Sequence, residues 1–123
     1  MAATVKRALV VASDVYHGIE VSSALERLGC AVDVASSGVE ALRLIARGTV
    51  YQLIVTELVL NGISGLALAI AARQKEPAVR IIGVNNGKKA LLLVAREFGI
   101  DDVLELPLDG ETVFCLVSEI IKG

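Results

Sequence analysis

The stretch LIVTELVLNGISG, residues 53–65, decides the fold. Leu53–Thr56 is a continuous run of apolar and β-branched residues, which is too short for a helix and typical of a buried strand. Ser64 can cap a helix that runs to about Gln74 and stops before Pro77. This stretch therefore predicts a strand followed by a helix.

The same unit recurs along the chain, which we expect to form a single domain over residues 1–123. The predicted strands are Ala8–Ala12, Ala31–Ala35, Leu53–Thr56, Ile81–Val84 and Val103–Leu104. Five helices are predicted. The first contains Val21, Leu25 and Leu28, and the second extends from a capping box at Ser37 and Glu40 through Arg47. The third begins at Ser64, the fourth covers Lys88–Phe98, and the fifth follows Asp109. Because continuously apolar strands alternate with helices, we predict a parallel sheet covered on both faces. The expected fold is α/β, a flavodoxin-like (βα)5 sandwich of three layers with strand order 2-1-3-4-5.

The composition excludes several classes of function. Of the 123 residues 54% are hydrophobic and only 3% aromatic, and the net charge is −2. Without a basic stripe or aromatic platforms, this domain alone is not expected to bind nucleic acid. No apolar run reaches the ~18 residues of a membrane span, and Met1–Arg7 does not resemble a signal peptide. Since Cys30 and Cys115 stand far apart, we predict a cytoplasmic protein with reduced thiols, no metal site and no cofactor.

Ligands of such a sheet bind where the strand order reverses, at the carboxyl ends of strands 1 and 3. Ala12, Ser13 and Asp14 follow strand 1, Glu57 follows strand 3, and Asn85 follows strand 4. Two acids on neighbouring loops are typical ligands of a hard cation. Asp14, however, precedes a helix and is better explained as its N-cap, which leaves one carboxylate, too little for a metal site.

Further motifs follow one another in an order that characterises a known family. They are Val10-Val11 before the acidic region, Glu57 with Gly62–Leu66 after strand 3, Ala35–Gly38 with Glu40–Leu42, Gly99–Asp102, and Leu106-Pro107. Over nearly the whole chain this order resembles the receiver domain of two-component response regulators, the CheY-like family. The resemblance implies a signalling module that accepts a phosphoryl group at the end of strand 3.

The residues that the family uses for phosphorylation are replaced here. By the resemblance, Ala12 and Ser13 occupy the positions of two acids that bind Mg²⁺ in the family, and Glu57 occupies the position of the Asp that accepts the phosphoryl group. Asn85 replaces a Ser or Thr that contacts the phosphoryl group, and Val103 replaces an aromatic switch residue. Leu106 replaces a Lys that binds the phosphate. Phosphoryl transfer depends on neutralisation of charge by metal and lysine. We therefore predict a degenerate pseudo-receiver that is not an enzyme.

Two residues near this place have competing interpretations. Glu57 either mimics a phosphorylated aspartate or is a solvated acid at the mouth of a loop. We favour the solvated acid, because the residues that would respond to its charge are absent. His17, the only histidine, lies on one helical stripe with Val21 and Leu25. It can bond Glu57 or titrate near neutrality, but we interpret it as a half-buried packing residue.

The fourth helix predicts a protein interface. Ala90–Ala95 is apolar throughout, so apolar side chains surround most of the helix, whereas a helix on a sheet buries only part of its circumference. We expect a set of side chains here to bind a protein partner or a second copy: Leu91, Leu92, Leu93 and Val94, with Phe114 of the fifth helix. In the receiver family, helix 4, strand 5 and helix 5 form the usual docking surface.

The sequence thus predicts an atypical receiver domain that acts by phosphorylation-independent protein–protein interaction. If the chain is part of a longer protein, an effector such as a DNA-binding domain would follow Gly123. One alternative is a working phosphoacceptor at Glu57, Ser13 or Thr56, with Asp14 recruiting a metal. The other is a small-ligand binder of the flavodoxin type, which the scarcity of aromatic residues disfavours.

Overall fold

The computed structural model describes residues 5–122. Residues 1–4 and Gly123 lie outside the described residues, so the predicted domain limits at 1 and 123 are not covered. Residues 1–4 belong to the segment that was compared with a signal peptide. The strands are β1 (Arg7–Val11), β2 (Ala31–Ala35), β3 (Leu53–Glu57), β4 (Arg80–Asn85) and β5 (Asp102–Glu105). The helices are α1 (Val15–Arg27), α2 (Gly38–Ala46), α3 (Gly65–Lys75), α4 (Ala90–Ala95) and α5 (Gly110–Lys122), with a 3-10 turn over Arg96–Phe98.

The five strands form one parallel sheet in the order β2-β1-β3-β4-β5. This confirms the predicted α/β fold and strand order. Because the order reverses at β1 and β3, the loops that follow these two strands lie side by side.

The core lies on both faces of the sheet because successive strand residues point to opposite sides. Leu9 and Ile54 contribute to a cluster with side chains of α2 and α3 on one face. Val10 and Val55 contribute to a second cluster with side chains of α1 and α5 on the other. The three predicted layers are therefore present, and both faces of the central strands are covered by aliphatic side chains.

Two of the predicted elements differ in their limits or caps. The helix predicted over Lys88–Phe98 begins two residues later than predicted, at Ala90. It ends as predicted at Phe98 before Gly99, but its last turn, Arg96–Phe98, is a 3-10 turn. The predicted capping box is half formed. Ser37 accepts from the amide of Glu40 at 3.1 Å, but the Glu40 carboxylate bonds Ser36 instead of closing the box.

Within residues 5–122, no helix combines the length and the apolar character that crossing a membrane requires. Both cysteines are free thiols, and burial raises the pKa of Cys30 above its usual value.

Candidate functional site

One buried carboxylate lies at the carboxyl end of the central strand. Glu57 is the last residue of β3, is paired in register with Val84 of β4, and is only 1% exposed. The interpretation of Glu57 as a solvated acid is therefore wrong. Since an unpaired buried charge is strongly unfavourable, the groups around this carboxylate decide what it can do.

The loop after β3 packs tightly against the backbone of Glu57. Gly65, the first residue of α3, has no room for a side chain, because a Cβ there would collide with the Glu57 carbonyl oxygen. The Gly65 amide donates to the Leu58 carbonyl at 3.0 Å, and Ser64 caps α3 by accepting from the amide of Ala67. The predicted cap at Ser64 is thus present, and it holds α3 against the end of the strand.

Both oxygens of the Glu57 carboxylate are bonded by the segment that follows β1. Oε1 accepts from the backbone N–H of Ser13 at 2.7 Å and from its hydroxyl at 2.9 Å. Oε2 accepts from the amide of Asp14 at 3.4 Å and lies 2.7 Å from Nδ1 of His17. Four donors from one short segment therefore compensate the burial of this charge.

His17 is a partner of Glu57, so its interpretation as a packing residue is wrong. Its side chain is 12% exposed, and its second ring nitrogen, Nε2, lies 3.9 Å from Oδ2 of Asp14. The signal in the sequence was spacing. His17 follows Asp14 by three residues, which places both on one side of the first helical turn.

Asp14 acts as the N-cap of α1, as expected. Its Oδ1 accepts from the amides of Tyr16 at 2.8 Å and His17 at 3.4 Å. Across residues 5–122, no cluster of three or more histidine, cysteine, aspartate or glutamate side chains is arranged to hold a metal ion.

The end of β4 is organised by two neighbouring asparagines. Asn85, the last residue of β4 and 5% exposed, accepts from the amide of Gly87 at 3.1 Å. Asn86 pairs with the backbone of Val59 through two bonds of 2.9 Å, one given and one received. Its amide group thus fastens the loop after β4 to the loop after β3. Sequence reasoning missed Asn86, because a bond to backbone across 27 residues leaves no local pattern.

The other residues predicted at this edge are apolar. Ala12 is buried, and Val103 packs against the core from β5. Leu106 is 39% exposed and precedes Pro107 across a cis peptide bond. In the described part of the chain, His17 is the one side chain able to carry positive charge that bonds Glu57.

Tyr16 stands beside this cluster on the outer side of α1. Its hydroxyl donates to the carbonyl of Leu108 at 3.1 Å, which ties α1 to the segment before α5. The negative charge of Glu20 raises the pKa of Tyr16. The hydroxyl of Tyr16, the aromatic residue nearest the loop after β1, is thus already hydrogen-bonded within the protein.

The predicted interface residues divide into exposed and covered groups. Leu93 is 81% exposed and Leu92 38%. Leu91 is half-buried against the core, Val94 is half-buried, and Phe114 lies under the guanidinium of Arg27 at 4.0 Å. The exposed apolar surface is therefore narrower than the sequence suggested. We name Leu92, Leu93, Leu106 and Leu116, the exposed leucines of α4, α5 and the segment after β5, the leucine face.

A separate cleft of about 330 Å³ lies at the opposite end of the sheet. Its walls are largely aliphatic and come from the amino ends of β3 and β4 and from the last turn of α5. Because this cleft is at the amino ends of the strands, it contains none of the predicted site residues.

The arrangement is similar to solved receiver structures. The beryllofluoride-activated receiver domain of DrrB superimposes with a TM-score of 0.83 at 20% identity, covering 98% of this chain and 100% of that one. A two-component response regulator from Clostridium difficile gives 0.81 at 26% identity, with 94% of each chain covered. NtrX from Brucella abortus gives 0.82 at 25% identity, and the match spans 98% of this chain but 27% of NtrX.

The family model for the response regulator receiver domain matches residues 9–117. The chain therefore belongs to the receiver domain family of two-component response regulators. No curated protein sequence matches it.

Proposed function

We propose that this chain is a pseudo-receiver, a receiver domain that acts through protein contacts without being phosphorylated. In this proposal, Glu57 occupies the phosphoacceptor position of the receiver family. The observation that carries it is the saturation of the Glu57 carboxylate by Ser13, Asp14 and His17. A carboxylate that is 1% exposed and accepts four bonds from its own chain is poorly placed to attack phosphorus.

The electrostatics of the site support the same proposal. A phosphoryl group in transfer carries charge that receivers neutralise with a metal ion and a lysine. At the corresponding positions this chain has Ala12, Ser13 and Leu106, none of which binds a metal strongly or carries positive charge. The counter-group at Glu57 is the imidazole of His17, whose Nδ1 lies 2.7 Å from Oε2 of the carboxylate.

The leucine face is the proposed docking surface. Leu93 is 81% exposed on a short helix and Leu92 beside it in sequence is 38% exposed, and apolar side chains left in solvent are typical of an interaction site. The charges around it are complementary between two copies. Lys88, Lys89 and Arg96 flank α4, whereas exposed acids stand on β5 and α5 at Glu105 and Glu119. A two-fold arrangement that sets α4 of one copy against α5 of the other would pair basic with acidic groups.

The proposal is tested by exposing the purified protein to Mg²⁺ and beryllofluoride, a phosphoryl mimic, while recording its amide NMR spectrum. The receiver domain of DrrB, whose structure was solved in its beryllofluoride-activated form, serves as positive control. We expect no saturable shift at Ser13, Glu57 or Asn85, and no mass increase of the intact protein with acetyl phosphate. Saturable shifts at Glu57 that spread to α4 and α5 would overturn the proposal. The cytoplasmic location stays a prediction.

A further inference from the structure

We propose that the cleft at the amino ends of the strands binds a small aliphatic carboxylate. Arg80 holds the charged end of this ligand, and the aliphatic walls of the cleft cover its chain. The cleft lies at the end of the sheet opposite to Glu57, so the inference goes beyond the proposed function and does not depend on it.

The cleft has the size of a small-molecule site. Its volume of about 330 Å³ falls within the ~300–1,000 Å³ that is usual for ligand pockets. The most deeply placed lining residues are Tyr51, Leu53 and Val79, each 3% exposed or less, whereas Val50 is 56% exposed at the rim. At ~30 Å³ for each water-sized group, the cleft has room for about ten such groups. Octanoate is a carboxylate of that size.

A second, smaller cavity continues the cleft toward α2 and α3. It measures about 100 Å³ and shares Val50, Tyr51, Glu76 and Val79 with the larger one. Its further lining includes Ile45 of α2. The end of a ligand chain can therefore extend from the larger cavity along apolar surface.

The walls favour an aliphatic chain over an aromatic ring. Val5, Ile120 and Ile121 enclose the cleft from the segment before β1 and the last turn of α5. Among the described lining residues, the one aromatic side chain is Tyr51, and its hydroxyl already donates to Asp33 at 2.7 Å. A ring in this cleft would thus gain little from stacking, whereas a flexible chain can follow branched aliphatic walls.

Arg80 provides a cation at the edge of the larger cavity. Its amide donates to the carbonyl of Gln52 at 3.0 Å, which fixes the backbone at the start of β4. Its guanidinium meets Asp102 at 3.7 Å, and the two side chains are 44% and 40% exposed. An ion pair of this length and exposure is weak, so donors of the guanidinium remain for a ligand. The planar fork of arginine binds a carboxylate through two parallel bonds.

The charges around the cleft favour an anion over a cation. Three exposed lysines stand next in sequence to lining residues: Lys6, Lys75 and Lys122. The acids in comparable places are Glu76, which lines the cleft, and Glu119. Because the bases, with Arg80, outnumber these acids, a carboxylate is attracted and an amine is repelled.

Glu76 sets the orientation of the ligand. It lines both cavities, whereas Arg80 lines only the larger one. A carboxylate therefore binds beside Arg80, and its uncharged chain passes Glu76. Removal of the Glu76 charge should strengthen binding, and removal of the Arg80 charge should weaken it.

The test is titration of the full chain with octanoate, followed by calorimetry and by amide NMR. We expect saturable binding of one equivalent with a Kd of about 1 mM or below, and shifts at Tyr51, Leu53 and Ile121. Octylamine and octanol have the same chain without the negative charge. Both should bind about tenfold more weakly, because a charge-assisted bond is lost.

Two variants of half-buried residues should change the Kd in opposite directions. Arg80→Gln should raise the Kd for octanoate about tenfold, and Glu76→Gln should lower it about twofold. Arg43→Gln is the matched control, because Arg43 is an exposed arginine of α2 that lines neither cavity, and it should leave the Kd unchanged.

Failure of octanoate to bind saturably would overturn the proposal. Equal affinity for octanoate, octylamine and octanol would also overturn it, because the site would not select a carboxylate. Shifts confined to Leu92 and Leu93 would place the ligand on the leucine face and exclude the cleft. The beryllofluoride experiment probes the opposite end of the sheet, so either proposal can fail while the other stands.

Discussion

The Nδ1 atom of His17 and the Oε2 atom of Glu57 are 40 residues apart in sequence and 2.7 Å apart in the structure. Glu57 is 1% exposed, and a carboxylate in that position needs partners within the protein. In the receiver family, the acids at this edge hold a metal ion brought from outside. Here His17 of α1 supplies a counter-group from within the chain, 2.7 Å from the Glu57 carboxylate.

Removal of His17 should destabilise the fold. In His17→Ala, Oε2 of Glu57 keeps only the 3.4 Å bond from the Asp14 amide, while the carboxylate stays buried. Leaving a buried carboxylate without its hydrogen-bond partner costs about 1–3 kcal/mol. We expect the free energy of unfolding in urea at pH 6 to fall by this amount.

A double-mutant cycle separates this pair from general packing. In Glu57→Gln the buried charge is gone, so adding His17→Ala should cost about 1 kcal/mol. Equal costs of His17→Ala in the two backgrounds would mean that His17 stabilises the protein by packing alone.

Ser13→Asp should destabilise the protein instead of creating a metal site. The serine hydroxyl lies 2.9 Å from Oε1 of Glu57, so an aspartate there would set two carboxylates against each other. We expect a loss of about 1–3 kcal/mol, larger than the ~1 kcal/mol for Ser13→Ala, which keeps the backbone bond. The measurement is thermal unfolding of both variants with and without Mg²⁺. If millimolar Mg²⁺ restored the Tm of Ser13→Asp, the site would be one residue away from metal binding.

The sheet and its order could be predicted because they depend on local patterns. Runs such as Leu53–Thr56 and caps such as Ser64 carry their signal within a few residues. Glu57 and His17 were misinterpreted because burial is a property of the assembled fold. The strand continues through Glu57, and the partner that makes its burial tolerable lies 40 residues away. From the sequence alone, an acid at the end of an apolar strand is expected to lie in solvent, because the loop that covers it comes from a distant part of the chain.

Tyr51 gives the fold an alkaline limit. Burial and the bond from its hydroxyl to Asp33, 2.7 Å long, raise its pKa from 10.0 to about 12. Between these values the unfolded chain releases the phenolic proton and the folded chain keeps it, so stability falls as pH rises from 10 to about 12. The free energy of unfolding in urea should fall more steeply with rising pH in the native protein than in Tyr51→Phe, which keeps the ring. Parallel curves would contradict the assignment, because every other group that titrates at alkaline pH is shared by the two proteins.

The leucine face should control assembly through Leu93. Its side chain is 81% exposed, so Leu93→Glu costs little stability in the monomer but places a charge within the proposed contact. We expect sedimentation to show a self-associated native protein and a monomeric Leu93→Glu. Ile70→Glu is the matched control, because Ile70 is also an exposed aliphatic residue, 43% accessible, but lies on α3. It should sediment like the native protein. Identical sedimentation of all three proteins would mean that the leucine face does not bind a second copy of the chain. Loss of association in both variants would indicate that the protein aggregates through exposed apolar surface in general.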